Sequence, residues 1–182
     1  MPPASMSSGT AAQLQMALGD PEVVARYHAK IGAVPGYACL FWTGAVAARG
    51  HGRFWIADDT TQRDYVVIAH RFGYALAHGY DALMAVEVVA HFCDNPLCQH
   101  PEHWRESTHA RNKAEWAARR HTLRGPLRDL RGARGRALAI RDAVRDGRPL
   151  HDVLASGVRD GDRDQLPLWE EPASCAAPGP GR

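Results

Sequence analysis

Two thiols and an imidazole stand at equal intervals in Cys93-x4-Cys98-x4-His103, and the Asp94-Asn95-Pro96 turn signal inside the run lets the chain double back around an ion. Three such donors on one short loop make a zinc knuckle that lacks one ligand of a tetrahedron. Two further cysteines are available: Cys175 in a Gly/Pro-rich tail, and Cys39, which opens the apolar run Cys39-Leu-Phe-Trp-Thr-Gly44 suited to a buried strand. Cys39 is therefore expected to complete a Cys3His site holding one structural Zn2+ per chain. A Cys93–Cys98 disulfide, or two thiols buried as hydrophobes, would leave His103 unexplained, and no secretory signal accompanies them.

The elements around the knuckle follow from local pattern. Val86-Glu-Val-Val-Ala-His91 is short and β-branched and reads as a strand ending at His91; Trp104-Arg-Glu-Ser107 reads as its return. Ser107 or Thr108 then caps a helix to about Arg120, with Ala110, Ala114, Trp116 and Ala117 as helix formers and apolar side. The product is strand, metal-bound loop, strand, helix, with His91 and Asn112 able to face each other across the groove between hairpin and helix. Upstream, residues 1–19 read as disordered, residues 20–32 as a short helix, and residues 71–78 as a further helix. His51, His70, His78, His100, His109 and His121 are assigned to packing or capping.

From Cys39 through Asn112 the chain resembles the His-Me finger (ββα-metal, HNH) endonucleases, in the zinc-containing branch related to His-Cys box homing endonucleases. The resemblance is carried by Gly36-Tyr-Ala-Cys39-Leu-Phe-Trp42-Thr-Gly44, Gly50-His-Gly52-Arg53-Phe54, Ala69-His70-Arg71-Phe-Gly-Tyr74, His91-x-Cys93-Asp-Asn-Pro-x-Cys98-x-x-Pro101-x-His103 and Thr108-x3-Asn112. It implies an α+β fold with antiparallel strands around a ββα-metal core, His91 as general base, and Asn112 as holder of a catalytic Mg2+ for which Mn2+ can substitute. It likewise implies Cys39, Cys93, Cys98 and His103 as zinc ligands. A neutral imidazole can take a proton from water at cellular pH, and a neutral amide oxygen with waters suits Mg2+, which keeps much of its hydration. Arg53, on a strand that related enzymes lay against DNA, is preferred over Arg71 as the cation at the scissile phosphate. Where relatives often carry Asp before the Asn, this chain has Arg111; a supporting carboxylate is then absent or comes from elsewhere, Glu115 being the candidate.

Composition bounds the rest. A chain of 182 residues, 45% hydrophobic, without an apolar run near the roughly 20 residues of a membrane span, reads as soluble and cytoplasmic, with no membrane partner. The net charge of +2 hides a block, residues 105–148, with 13 Lys/Arg against 5 Asp/Glu. Arg105, Arg111, Lys113, Arg119, Arg120 and Arg124 begin a stripe expected to track the phosphates of double-stranded DNA, because salt-laced surface helices usually mix signs more evenly. Gly132 to Gly135 reads as a flexible joint before a helix stopped by Gly147; this helix and a second short one from Pro149 through about Ser156 form a pair that reads as a DNA-reading appendage or a packing arm. Gln165, Leu166, Leu168 and Trp169 form Gln-Leu-Pro-Leu-Trp, which resembles the bacterial sliding-clamp-binding peptide.

The expected organisation is residues 1–34 as an N-terminal segment with a short helix, 35–121 as the nuclease domain, 122–160 as an Arg-rich helical extension, and 161–182 as a flexible tail with the clamp peptide. The expected function is a nicking or double-strand-cutting DNA endonuclease of homing or phage type, with a homodimer among the arrangements its relatives adopt. The competing class is a non-catalytic, zinc-stabilised DNA-binding module.

Overall fold

Tyr27, Trp42, Phe54 and Phe72 meet at the centre of the molecule with ring centroids 4.9 to 5.9 Å apart, and the chain is arranged so that four different elements each deliver one of them. The structure, a computed structural model, describes residues 8–58, 63–123 and 125–163. Helices α1 (Ser8–Gly19) and α2 (Pro21–His28) lead into strands β1 (Ile31–Ala33) and β2 (Leu40–Trp42), an antiparallel pair. Strands β3 (Ala45–Val46), β4 (Gly52–Asp58) and β5 (Arg63–Ile68) form an antiparallel meander. Helices α3 (Ala69–His78) and α4 (Tyr80–Ala85) return the chain to the hairpin of β6 (Val88–His91) and β7 (Trp104–Ser107), whose register sets His91 opposite Trp104. Helix α5 (His109–Arg119) follows directly, then α6 (Gly132–Asp146), α7 (Leu150–Ala155) and a last turn, α8 (Asp160–Arg163). The fold is thus mixed α+β with small antiparallel sheets, and among the described residues no helix is long and apolar enough to cross a membrane.

Local chemistry explains the boundaries. The Asp20 carboxylate accepts from the Glu22 and Val23 amides at the start of α2, with Pro21 at its first position. The Thr108 hydroxyl caps α5 by accepting from the Arg111 amide at 3.1 Å, which settles the cap between the two candidates. Gly147, at φ 66°, ends α6 as expected.

Two stretches differ from expectation, and a third resolves between two alternatives. Residues 8–19 are helical rather than disordered, because Leu14 and Ala17, three apart on one face, are buried in the core. The Gly132–Gly135 stretch is the first turn of α6, not a joint. Of the two readings of the helix pair, the packing arm holds: Ala137, Ile140 and Ala143 belong to the same core as Trp42 and Phe54, and Val144 packs against it. The approach is close enough that a methyl added at Gly50, which has φ +84°, would fall 2.7 Å from the Ala133 carbonyl oxygen. The β3–β4 turn and the start of α6 are therefore walls of one structure, which matters for what lies between them.

Candidate functional site

The knuckle is built onto β2. Residues Phe41 and Cys98 form an isolated antiparallel bridge, flanked by bonds from the Trp42 amide to the Leu97 carbonyl at 2.9 Å and from the Gln99 amide to the Leu40 carbonyl at 2.7 Å. This pairing carries Cys39 to the loop. Inside the loop Asp94 adopts the left-handed conformation, φ 51°, which a short polar side chain tolerates, and the Asn95 carboxamide accepts from the Leu97 amide at 3.2 Å. A 3-10 turn, Pro101–His103, swings His103 back so that its Nδ1 lies 3.6 Å from Cys39 Sγ and 3.3 Å from Cys98 Sγ.

All four residues are buried, and their donor atoms lie within 4.8 Å of one another. Metal bonds of about 2.3 Å to sulfur and about 2.0 Å to nitrogen give tetrahedron edges of roughly 3.5 Å, so the set can hold a metal ion such as zinc. Cys93 and Cys98 are not joined in a disulfide. A hydrogen bond between them pulls the Cys93 thiol down and, with burial, pushes the Cys98 thiol up.

His91 ends β6 on the other side of the same loop. Its Nε2 lies 3.0 Å from the Cys98 carbonyl oxygen, which also accepts from Trp104 Nε1 at 3.2 Å. A carbonyl only accepts, so Nε2 carries the hydrogen and Nδ1 keeps the lone pair. Burial pushes the imidazole down to about 3 against the opposing pull of the Cys98 carbonyl, with His51 and then His103 adding to the fall. Asn112, in the first turn of α5, shares with it a cleft of about 860 Å³, and its carboxamide is exposed there. The cleft also takes in His51, Asp94, Arg49 on the β3–β4 turn, and Arg131, Arg134 and Arg136 at the start of α6.

Protein 7.7 of Escherichia phage T7 is similar to this chain. The two are 28% identical over 115 residues, 63% of this chain and 82% of that protein. No protein-family model and no solved structure matches the chain.

The other expected site residues are placed unevenly. Arg53 is exposed with its guanidinium over the Trp55 ring at 5.0 Å, and neither it nor Arg71 lines the cleft. The basic stripe is more neutralised than its composition suggests. Arg105 and Arg111 both bind Glu115, Arg119 binds Asp94 at 2.9 Å, and Arg120 lies over Trp116. The acidic partners are few, but Glu115 serves three arginines, Arg119 at 4.0 Å being the third, and Asp94 comes from outside the block. Lys113 is exposed, whereas Arg124 and the Gln165, Leu166, Leu168 and Trp169 peptide lie outside the described residues. Glu115, engaged in those pairs, is not among the cleft residues. The carboxylate that is there is Asp94, raised chiefly by burial and opposed by Arg119.

His51 and His70, assigned to packing or capping, also bring ring nitrogens within 4.8 Å of each other and of His91, a proximity the sequence did not signal. Spacings of 19 and 21 residues on three different elements carry no periodic signal; only the Gly50-His51-Gly52 turn hinted at a presented side chain.

Proposed function

We propose that this chain is a metal-dependent DNA endonuclease of the His-Me finger (ββα-metal, HNH) type, with Cys39, Cys93, Cys98 and His103 holding one structural Zn2+. The observation that supports it most is the Cys98 carbonyl. By fixing the His91 tautomer it leaves Nδ1 as a part-buried, neutral proton acceptor at a cleft shared with Asn112 and with Arg49, Arg134, Arg131 and Arg136, the last two paired with Asp129. That pairs a general base with a neutral oxygen donor suited to a hydrated hard cation, in a groove whose charge favours phosphate.

In this mechanism His91 Nδ1 accepts the proton of the attacking water, and the Cys98 carbonyl stabilises the imidazolium that results. Asn112 offers its carboxamide oxygen to Mg2+, which when bound supplies charge neutralisation at the phosphate and the leaving 3′ oxygen. Arg49 and Arg134, both exposed at the cleft, contact the duplex backbone, and Arg53 and the exposed members of the 105–124 block extend that track. Recruitment by the sliding clamp through Gln165, Leu166, Leu168 and Trp169 is part of the proposal on motif grounds; co-purification with the clamp is expected to vanish when Leu168 and Trp169 become Ala.

The test is plasmid relaxation with Mg2+ by wild type, His91→Ala and Asn112→Ala. Loss of cleavage in both variants with retained fold is the expected result. Undiminished cleavage in both overturns the site, and no cleavage by wild type on supercoiled, linear or nicked DNA leaves the zinc-stabilised DNA-binding module as the better account.

A further inference from the structure

We propose that His51, His70 and His91 form a second metal site, selective for a transition dication of the Zn2+, Co2+ or Ni2+ class and distinct from both the Cys3His knuckle and the Mg2+ position at Asn112. Three imidazole nitrogens from the β3–β4 turn, the first turn of α3 and the end of β6 lie within 4.8 Å of one another. Among the described residues this is the one such group besides the knuckle.

The second observation is His70 itself. It is 5% exposed, and its Nδ1 is buried with no hydrogen-bond partner. An imidazole nitrogen left so in a protein interior is costly unless something binds its lone pair. Its remaining hydrogen-bond contact is to the backbone of Val89, just as His91 spends Nε2 on the Cys98 carbonyl. A ligating histidine ordinarily gives its other ring N–H to a carbonyl in this way, which fixes the tautomer that coordinates.

The geometry requires a small closure. Three nitrogens bound at about 2.0 Å sit roughly 3.3 Å apart, so the rings must draw in by up to about 1.5 Å. His51 can supply the movement, since it is half-buried on a turn between two glycines. Two cations bear on the group: Arg49, beside His51, is solvent-exposed and its repulsion of a dication is screened, whereas Arg71, beside His70, is half-buried and opposes the ion more directly. Neutral nitrogen donors without a carboxylate favour the transition dications over Mg2+ or Ca2+. Because His51 and His91 line the cleft, a fourth coordination position faces it. One consequence rests on the proposed nuclease function: an ion here takes the His91 Nδ1 lone pair away from water, so excess zinc inhibits Mg2+-dependent cleavage.

The site itself is tested without DNA. Protein loaded with one zinc is titrated with Co2+ and followed by visible d–d absorption. We expect one further equivalent, lacking the thiolate charge-transfer band of a cysteine site, with affinity at least about a hundredfold weaker in His51→Ala and in His70→Gln. His51→Ala changes a half-buried turn residue and keeps the test valid should the buried His70 variant fail to fold. No further cobalt uptake by wild type, uptake with a thiolate band, or unchanged uptake in His51→Ala overturns the proposal. A protein that cuts DNA with Mg2+ yet takes up no second cobalt loses this site and keeps its nuclease assignment; one that takes up cobalt and does not cut does the reverse.

Discussion

The Cys39–Cys93–Cys98–His103 group and the His51–His70–His91 group meet at one residue, Cys98, yet they are built on opposite principles. The first draws three of its donors from eleven consecutive residues, is buried, and joins three sulfurs to one ring nitrogen. The second draws each donor from a different element, and two of its members line an open cleft. A closed set of soft donors can hold an ion but leaves nothing for a reactant to reach, whereas neutral imidazoles at a cleft remain available to protons, ions and phosphate. One loop thus carries a closed donor set on one face and a cleft-facing histidine on the other, joined by the carbonyl that orients His91.

The sharpest way to break that contrast is to remove two sulfurs. Cys93→Ser with Cys98→Ser is expected to abolish zinc in elemental analysis and to unfold the domain, since structural zinc sites contribute on the order of 10 kcal/mol; a melting curve unchanged from wild type would remove the scaffold role. His91→Ala should do the opposite, lowering single-turnover cleavage by about 10²- to 10⁴-fold while zinc content and melting stay near wild type. Gly50→Ala, which meets the Ala133 carbonyl at positive φ, should cost about 1–3 kcal/mol in urea titration and loosen the cleft without releasing zinc.

The histidines also separate the two regions by pH. His70 is held well below 6.5 by burial first, then by His91 and His51. A histidine depressed in the folded state binds its proton only on unfolding, so its contribution is intact above pH 6.5 and is lost as pH falls toward the folded value. Between pH 6.5 and 5.5 stability should fall by about 1 kcal/mol more in wild type than in His70→Gln. The smallest effect is expected from Thr108→Ala, about 1 kcal/mol from the lost α5 cap, read as a lower melting temperature with unchanged zinc.

The knuckle was legible because its determinants are local: donor spacing, a turn dipeptide and a polar cap read directly from consecutive residues. Cys39 could be added only by elimination, and the structure gives the reason it arrives, the Phe41–Cys98 bridge. The histidine cluster was illegible because its order is tertiary; nothing in the neighbourhood of His70 announces that its ring turns toward a residue 21 positions on. The same holds for α6, whose start looked like a glycine joint because the face it buries is visible only once Ile140 and Ala143 are set against the sheets. Among the arginines, composition counted charges but could not see that Glu115 and Asp94 meet three of them.

The 64-residue separation between Cys39 and His103 also governs the order in which the molecule can assemble. As the chain emerges from its N-terminus, Cys39 has no companions for an ion, the Trp42 amide lacks the Leu97 carbonyl, and the Tyr27 hydroxyl lacks Gln99 until the knuckle itself has been made. The central aromatic cluster can gather early, but it cannot be fastened. Closing so long a loop is entropically costly, and an ion bound across it acts as a late clasp that converts a loose N-terminal half into a finished one.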